Sequence, residues 1–152
     1  MEKILTIVIP TYNMERYLEK CLTSLIIDDQ DLMNQVEVLI VNDGSKDRSS
    51  EIAHSYQDKY SNTFRVIDKE NGNYGSCVNR GLSEATGKYI KILDADDSFF
   101  KDGYVAYINK LLTIDFVKGS CFNSFFTFSN IISCLIINFG IVFTNIYTYY
   151  KH

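Results

Sequence analysis

Residues 3–10 read KILTIVIP, a nearly continuous run of aliphatic, mostly β-branched residues closed by the only proline in the chain, Pro10. A strand at a sheet surface alternates apolar and polar positions. A run without alternation must be covered on both faces, as the central strands of parallel sheets are. VEVLIVN at 36–42 repeats the pattern, FRVID at 64–68 makes a shorter version of it, and KYIKIL at 88–93 a fourth. The segments between them carry helical spacing. Tyr17, Leu18, Cys21, Leu22 and Leu25 share one face, with Asn13 as cap. Ile52, Ala53 and Tyr56 share another, started by Asp47 or Ser49. Val78, Leu82 and Ala85 make a third, stopped near Gly87. DGYVAYINKLL, capped by Asp102, gives a fourth helix. The order is β-α-β-α-β-α-β-α. It predicts an α/β fold: a mainly parallel sheet flanked by helices.

In such a sheet, ligands bind beyond the carboxyl ends of the strands. Three unusual sequences fall there: PTYN after the first strand, NDGSKD after the second and DADD after the fourth. Asp94, Asp96 and Asp97 crowd three carboxylates into four positions. Carboxylates within about 4–6 Å cannot all stay ionised without a counter-charge. A divalent cation supplies one, and magnesium typically takes one or two protein carboxylates with phosphate oxygens completing its shell. The plainer reading is a solvated acidic turn that caps the next helix. Asp43 and Gly44 likewise read either as a tight turn or as a fixed acceptor for a nucleobase or ribose. Pro10 ends its strand, and Tyr12 can lie flat against a base. In ENGNYGSCVNRG, Gly72 and Gly75 allow close approach of backbone, and Asn71, Asn73 and Asn79 are loop hydrogen-bonders. Neither G-x-G-x-x-G nor G-x-x-x-x-G-K-[ST] occurs, which disfavours dinucleotide and P-loop sites.

The 152 residues suit one domain with an appendage, and 46% hydrophobic content allows a full core. A net charge of −4 with no basic run argues against nucleic acid. Cys21, Cys77, Cys121 and Cys134 form no C-x-x-C pair and stand apart from His54 and His152. This disfavours zinc and suits a reduced, cytoplasmic protein. From Gly119 to Tyr150 no residue is charged. That shift divides the chain into 1–115 and an apolar tail, 116–152. Three readings of the tail stand: a membrane span, against which Asn130, Asn138 and Asn145 count; a non-native, frame-shifted end; or an extension packed on the sheet.

Taken in order, IVIPTYN, YLEKCLTSL, VNDGSKD and ENGNYGSCVNRGLSEATGKYIKILDADDSFF resemble the N-terminal half of a family 2 inverting glycosyltransferase with the GT-A fold, over roughly residues 3 to 115. The resemblance implies a Rossmann-like half that binds a nucleoside-diphosphate sugar, by default a UDP-sugar, together with Mg2+ or Mn2+. It implies that Pro10, Thr11 and Tyr12 meet the base and that Asp43 accepts from base or ribose. Asn71 and Gly75 line the site, and Arg80 and Lys69 neighbour the diphosphate or sugar. Asp94 supports the site from behind, Asp96 lies near ribose and sugar, and Asp96 and Asp97 hold the metal. The partner would be a carbohydrate or lipid-linked acceptor, in the cytoplasm or at the inner face of its membrane. The family's general base lies in a later half. No Asp or Glu follows Asp115 here, so the chain reads as truncated, and as a donor-binding pseudoenzyme if it binds without turnover. DADDS also matches D-x-D-x-[ST], the nucleophile pattern of haloacid-dehalogenase-type phosphatases. In that fold the pattern follows the first strand rather than the fourth.

Overall fold

The computed structural model describes residues 3–120 and 149–150. Four parallel strands form the sheet: β1 (Leu5–Thr11), β2 (Val36–Asn42), β3 (Phe64–Asp68) and β4 (Tyr89–Ile92). Their order is β3-β2-β1-β4, and a two-residue β5 (Tyr149–Tyr150) pairs antiparallel with β4. The helices are α1 (Leu18–Thr23), α2 (Gln30–Met33), α3 (Ser49–Lys59), α4 (Asn73–Glu84) and α5 (Lys101–Ser120). The expected alternation is therefore present. The addition is α2, a single turn capped by Asp29, whose Oδ1 accepts from Asp31 N at 2.9 Å and Leu32 N at 3.2 Å.

β1 and β2 are buried along their whole length, as runs without alternation require. Successive side chains point to opposite faces. Ile7, Ile9, Val38 and Ile40 meet α1, α3 and α5 through Leu18, Cys21, Leu22, Ala53, Tyr104 and Ile108. Val8, Leu39, Val41, Ile67 and Ile90 meet α4 through Cys77 and Leu82, with Ala85 just beyond the helix. Two layers of helix thus cover one sheet.

Local readings shift where packing overrules spacing. Tyr17, expected on the apolar face of α1, is 51% exposed, because Leu18, Cys21 and Leu22 already fill the contact. Asn13 caps nothing: it takes φ of 53°, and its Oδ1 accepts from Lys46 N at 2.8 Å. On α4 the buried face is Cys77 and Gly81, one residue away from Val78. The missing side chain at Gly81 is the reason. A Cβ there would fall inside the van der Waals envelope of both Val8 methyls, so the helix lies on β1 at its glycine. Asp102 sits inside the first turn of α5, where its charge suits the helix dipole, and α5 carries the chain past residue 115. Among the described residues no helix is long and apolar enough to cross a membrane. Residues 121–148, on which the membrane-span reading mainly rests, lie outside the described residues.

Pro10 does not end its strand; β1 continues to Thr11. Its effect is on the neighbour. Val8 O accepts from Leu93 N at 3.0 Å, and Thr11 O, on the opposite side, accepts from Asp43 N at 2.9 Å. By the alternation of a parallel ladder, the next donor toward β4 would be the N–H of residue 10, which proline lacks. The β1–β4 register stops at Val8–Ile92, and the chain leaves the sheet at Leu93 and Asp94.

At the amino edge, buried Glu37 joins three strands. Its Oε2 accepts from Thr6 Oγ1 (2.7 Å), Thr86 N (2.8 Å) and Thr86 Oγ1 (2.9 Å), and Arg65 pairs with Oε1 at 3.3 Å. Burial works against its charge, but these donors hold its carboxyl below the usual glutamate range.

Gly81→Ala should therefore cost about 1–3 kcal/mol, as overpacking does when a helix must lift from a sheet. Urea denaturation reads this as a lower midpoint with an unchanged slope.

Candidate functional site

Because the strands run parallel, the segments after Thr11, Asn42, Asp68 and Ile92 all emerge at one edge. This brings together PTYN, NDGS, KENGNY and DADD, whose residues lie up to 87 positions apart in sequence.

The centre of the edge is Asp43, only 3% exposed. Its Oδ1 accepts from Gly72 N and its Oδ2 from Asn73 N, both at 2.9 Å. The Lys69 ammonium pairs with Oδ1 and also donates to Glu70 O at 2.6 Å. Asn71 Nδ2 donates to the Asp43 carbonyl at 3.1 Å. Burial disfavours the charge, yet Lys69 and the Gly72 N–H outweigh it and hold the Asp43 carboxyl below its ordinary value. Beneath it, burial and the Asp43 charge push the buried Cys77 thiol up to about 11. Asp43 thus closes the N-terminus of α4 with a negative charge, where the helix dipole favours one.

Of the asparagines expected as loop hydrogen-bonders, Asn73 instead opens α4 and Asn79 lies within it, because Asp43 satisfies the first amides of the helix. Gly75 lies in that first turn, and a Cβ there would meet only Asn73 Oδ1, at 3.4 Å, so neither crowding nor φ requires glycine. Gly44 does need it, with φ of 69° and Asn71 N at 3.2 Å from a Cβ position.

The acidic turn follows β4. Asp94, Asp96 and Asp97 are exposed, while Leu93 and Ala95 are buried and anchor it. Asp97 N donates to Asp94 O at 3.0 Å, closing the turn. Asp94 Oδ1 accepts from Tyr74 Oη at 2.9 Å. Neither the Asp96 nor the Asp97 carboxylate has a hydrogen-bond or ion-pair partner among the described residues. Lys91 supplies a nearby counter-charge. Its ammonium lies 5.7 Å from the Phe99 ring centroid; burial lowers its pKa, and the charges of Asp97 and Asp94 oppose that. By its position in KYIKIL, Lys91 reads as a strand residue alone. Its signal was a lone cation inside an apolar strand, three residues before an acidic cluster.

Pro10 and Thr11 are buried in β1, and the Thr11 hydroxyl turns back to Ile9 O at 3.2 Å. Tyr12 is 43% exposed at the mouth of the edge. Lys69 is no solvated surface charge, being committed to Asp43. Arg80 is the residue that the structure takes elsewhere. α4 runs back toward the amino edge, and the Arg80 guanidinium pairs there with Glu84, which also binds Arg65. Among the described residues, no three His, Cys, Asp or Glu side chains converge to hold a metal without outside ligands. A separate cavity of about 440 Å³ opens between α1 and α3, lined by Glu15, Glu19, Arg48 and Tyr56 among others; none of the site aspartates lines it.

Residues 6–132 match the model of glycosyl transferase family 2. The match passes the boundary read at residue 115. The uncharacterized glycosyltransferase MG025 of Mycoplasma genitalium is 43% identical over 103 residues, 66% of this chain and 34% of that protein. The uncharacterized glycosyltransferase EpsJ of Bacillus subtilis is 39% identical over 97 residues, 64% of this chain and 27% of that protein. The chain thus spans about a third of the length of the curated relatives it matches. Among solved structures, S. aureus TarS 1-349 in complex with UDP-GlcNAc superposes with a TM-score of 0.59 at 30% identity, over 70% of this chain and 31% of that one.

Lys69→Met should cost about 2–4 kcal/mol, since it leaves a buried carboxylate one charge short. The pH dependence has a definite sign. A carboxyl held below its ordinary value stabilises the fold above the unfolded-state pKa, and that stability is lost as pH falls through the lower folded value. In Lys69→Met the folded value rises toward the unfolded one, so this carboxyl loses less stability on acidification, and the gap in urea midpoint between wild type and variant should narrow as pH falls from 7 into the carboxylate range.

Proposed function

The chain belongs to glycosyl transferase family 2, and from that premise we propose that its carboxyl edge binds the donor of a glycosyl transfer, a nucleoside-diphosphate sugar with uridine as the default base. The observation that carries this reading is the pair of exposed, unpartnered carboxylates, Asp96 and Asp97, on a turn anchored beside a buried and saturated one, Asp43. The family match and the UDP-GlcNAc complex of TarS support it.

Two free carboxylates without a third suit Mg2+ or Mn2+, whose remaining ligands would be diphosphate oxygens and water. Asp97, with Asp96 beside it, would hold the ion. When bound, the ion supplies charge to the departing diphosphate. Tyr12 offers its ring to the base. Asp43 shapes the edge by fixing the start of α4. Lys91 keeps the acidic turn folded before the ion arrives by offsetting part of its charge.

Transfer with inversion further requires a base for the acceptor hydroxyl, a carbohydrate or lipid-linked alcohol. The chain spans about a third of the length of its curated relatives, and we assign the donor-binding part of the reaction to it. Binding without turnover is the second reading, and it is carried by the same partial span. The phosphatase reading is set aside, since the family match spans the very residues on which it rested.

Calorimetry on the full chain tests the proposal. UDP should bind in the presence of Mn2+ and much more weakly in its absence. Asp97→Asn should lower the Mn2+-dependent affinity at least about tenfold, the scale of one lost metal ligand. Folded protein that takes up no nucleotide with either ion overturns the reading. Release of sugar from UDP-GlcNAc separates the transferase from the pseudoenzyme.

A further inference from the structure

We propose that Tyr74 is a positioning residue of this cleft: its hydroxyl holds Asp94, and through Asp94 it sets the turn that presents Asp96 and Asp97. The assignment rests on the donor-binding reading and gives a role to a side chain that the reading leaves unused.

Tyr74 projects from the first turn of α4, and that turn is held firmly. Asp43 fixes Gly72 N and Asn73 N. Asn73 takes φ of 77°, a left-handed value that asparagine tolerates better than most residues, and its Oδ1 accepts from Ser76 N at 3.1 Å. From this platform Tyr74 reaches the segment after β4 and donates to Asp94 Oδ1 at 2.9 Å, although the residue is 57% exposed. An exposed tyrosine gives up rotamer freedom to stay in one place, and a hydrogen bond to an ionised acceptor is strong enough to offset that. Burial and the Asp94 charge push its phenol up to about 12, so it remains a donor throughout the neutral range.

Asp94 is the pivot of the turn. Its side chain is clamped to α4, and its carbonyl accepts from Asp97 N at 3.0 Å and from the buried Cys21 Sγ at 3.9 Å. Asp94 is thereby occupied, whereas Asp96 and Asp97 are not. Three neighbouring carboxylates with similar sequence surroundings acquire two roles: one holds the turn, two meet the ligand. Among the described residues no other α4 side chain has a hydrogen bond to this turn, and Lys91, on β4, acts on it only through charge.

A double-mutant cycle tests the assignment. Affinity for UDP is measured by calorimetry, with and without Mn2+, for the wild type, Tyr74→Phe, Asp94→Ala and the double variant, with urea midpoints recorded alongside. Tyr74→Phe keeps the ring and removes the donor. It should weaken Mn2+-dependent binding about five- to tenfold, the scale of the net contribution of one hydrogen bond. The Mn2+-free affinity should stay within about twofold and the urea midpoint near that of the wild type. The double variant should bind no more weakly than the weaker single variant, since both break one link. Wild-type affinity in Tyr74→Phe overturns the assignment. So do losses that multiply in the double variant, or an equal loss without Mn2+, which would mean that the ring meets the nucleotide directly. A large drop in midpoint overturns it as well, as the mark of a purely structural bond. A wild type that binds no UDP removes the donor-binding reading and this assignment together; a binding wild type with an indifferent Tyr74→Phe removes the assignment alone.

Discussion

A buried carboxylate organises the carboxyl edge. Asp43 has lost nearly all contact with water, and a charge so placed is tolerable only when donors surround it. Those donors come from a single stretch, 69–73, which follows β3 and opens α4. Meeting the electrostatic demand of one side chain after β2 therefore fixes where the next crossover helix begins. It also fixes the direction in which Tyr74 leaves that helix. Removing the charge would free the amides of Gly72 and Asn73 and with them the first turn of α4. The geometry of the acidic turn is thus tied to a residue 51 positions before Asp94 in sequence.

The two edges of the sheet treat charge in opposite ways. At the amino edge, Glu37, Glu84, Arg65 and Arg80 neutralise one another, and two threonines and a backbone amide complete the shell of Glu37. Among the described residues, each of these four charges has a partner there. At the carboxyl edge, Asp43 is satisfied but Asp96 and Asp97 are not, and Lys91 offsets their charge only in part. Such an arrangement leaves two exposed carboxylates open to a ligand. Pro10 contributes by omission. Without its N–H the β1–β4 ladder ends, and the acidic turn is free to lift away from the sheet.

Much of this was legible in the residue order. Strands apolar on both faces call for helices on both sides, and alternation of strand and helix makes the sheet parallel. Parallel strands send PTYN, NDGSKD and DADD to one edge. None of these steps needs coordinates, because each follows from local periodicity and chain direction. The candidate residues Asp43, Asp94, Asp96 and Asp97 were found for the same reason: they stand at strand ends. The misreadings have a common source. Tyr17, Val78 and Asn13 were placed by spacing within a helix or by capping preference. Their actual settings were decided by neighbours in other elements: the filled core under α1, the bare backbone of Gly81 on Val8, and the 45–46 segment that binds Asn13.

Periodicity and chain direction, carried in the order of residues, specify the sheet, its polarity and the gathering of carboxylates at one end of it. They leave open which of those carboxylates is already spoken for. Asp43, Asp94, Asp96 and Asp97 look alike in a string of letters, since an aspartate's chemistry depends on the donors within about 3 Å of it. Those donors, Lys69, Gly72, Asn73 and Tyr74, arrive through the crossover that folds α4 back across the sheet. Long-range contact therefore separates the aspartates that hold the fold from those that stay open to a ligand, and it turns Arg80 to the opposite edge.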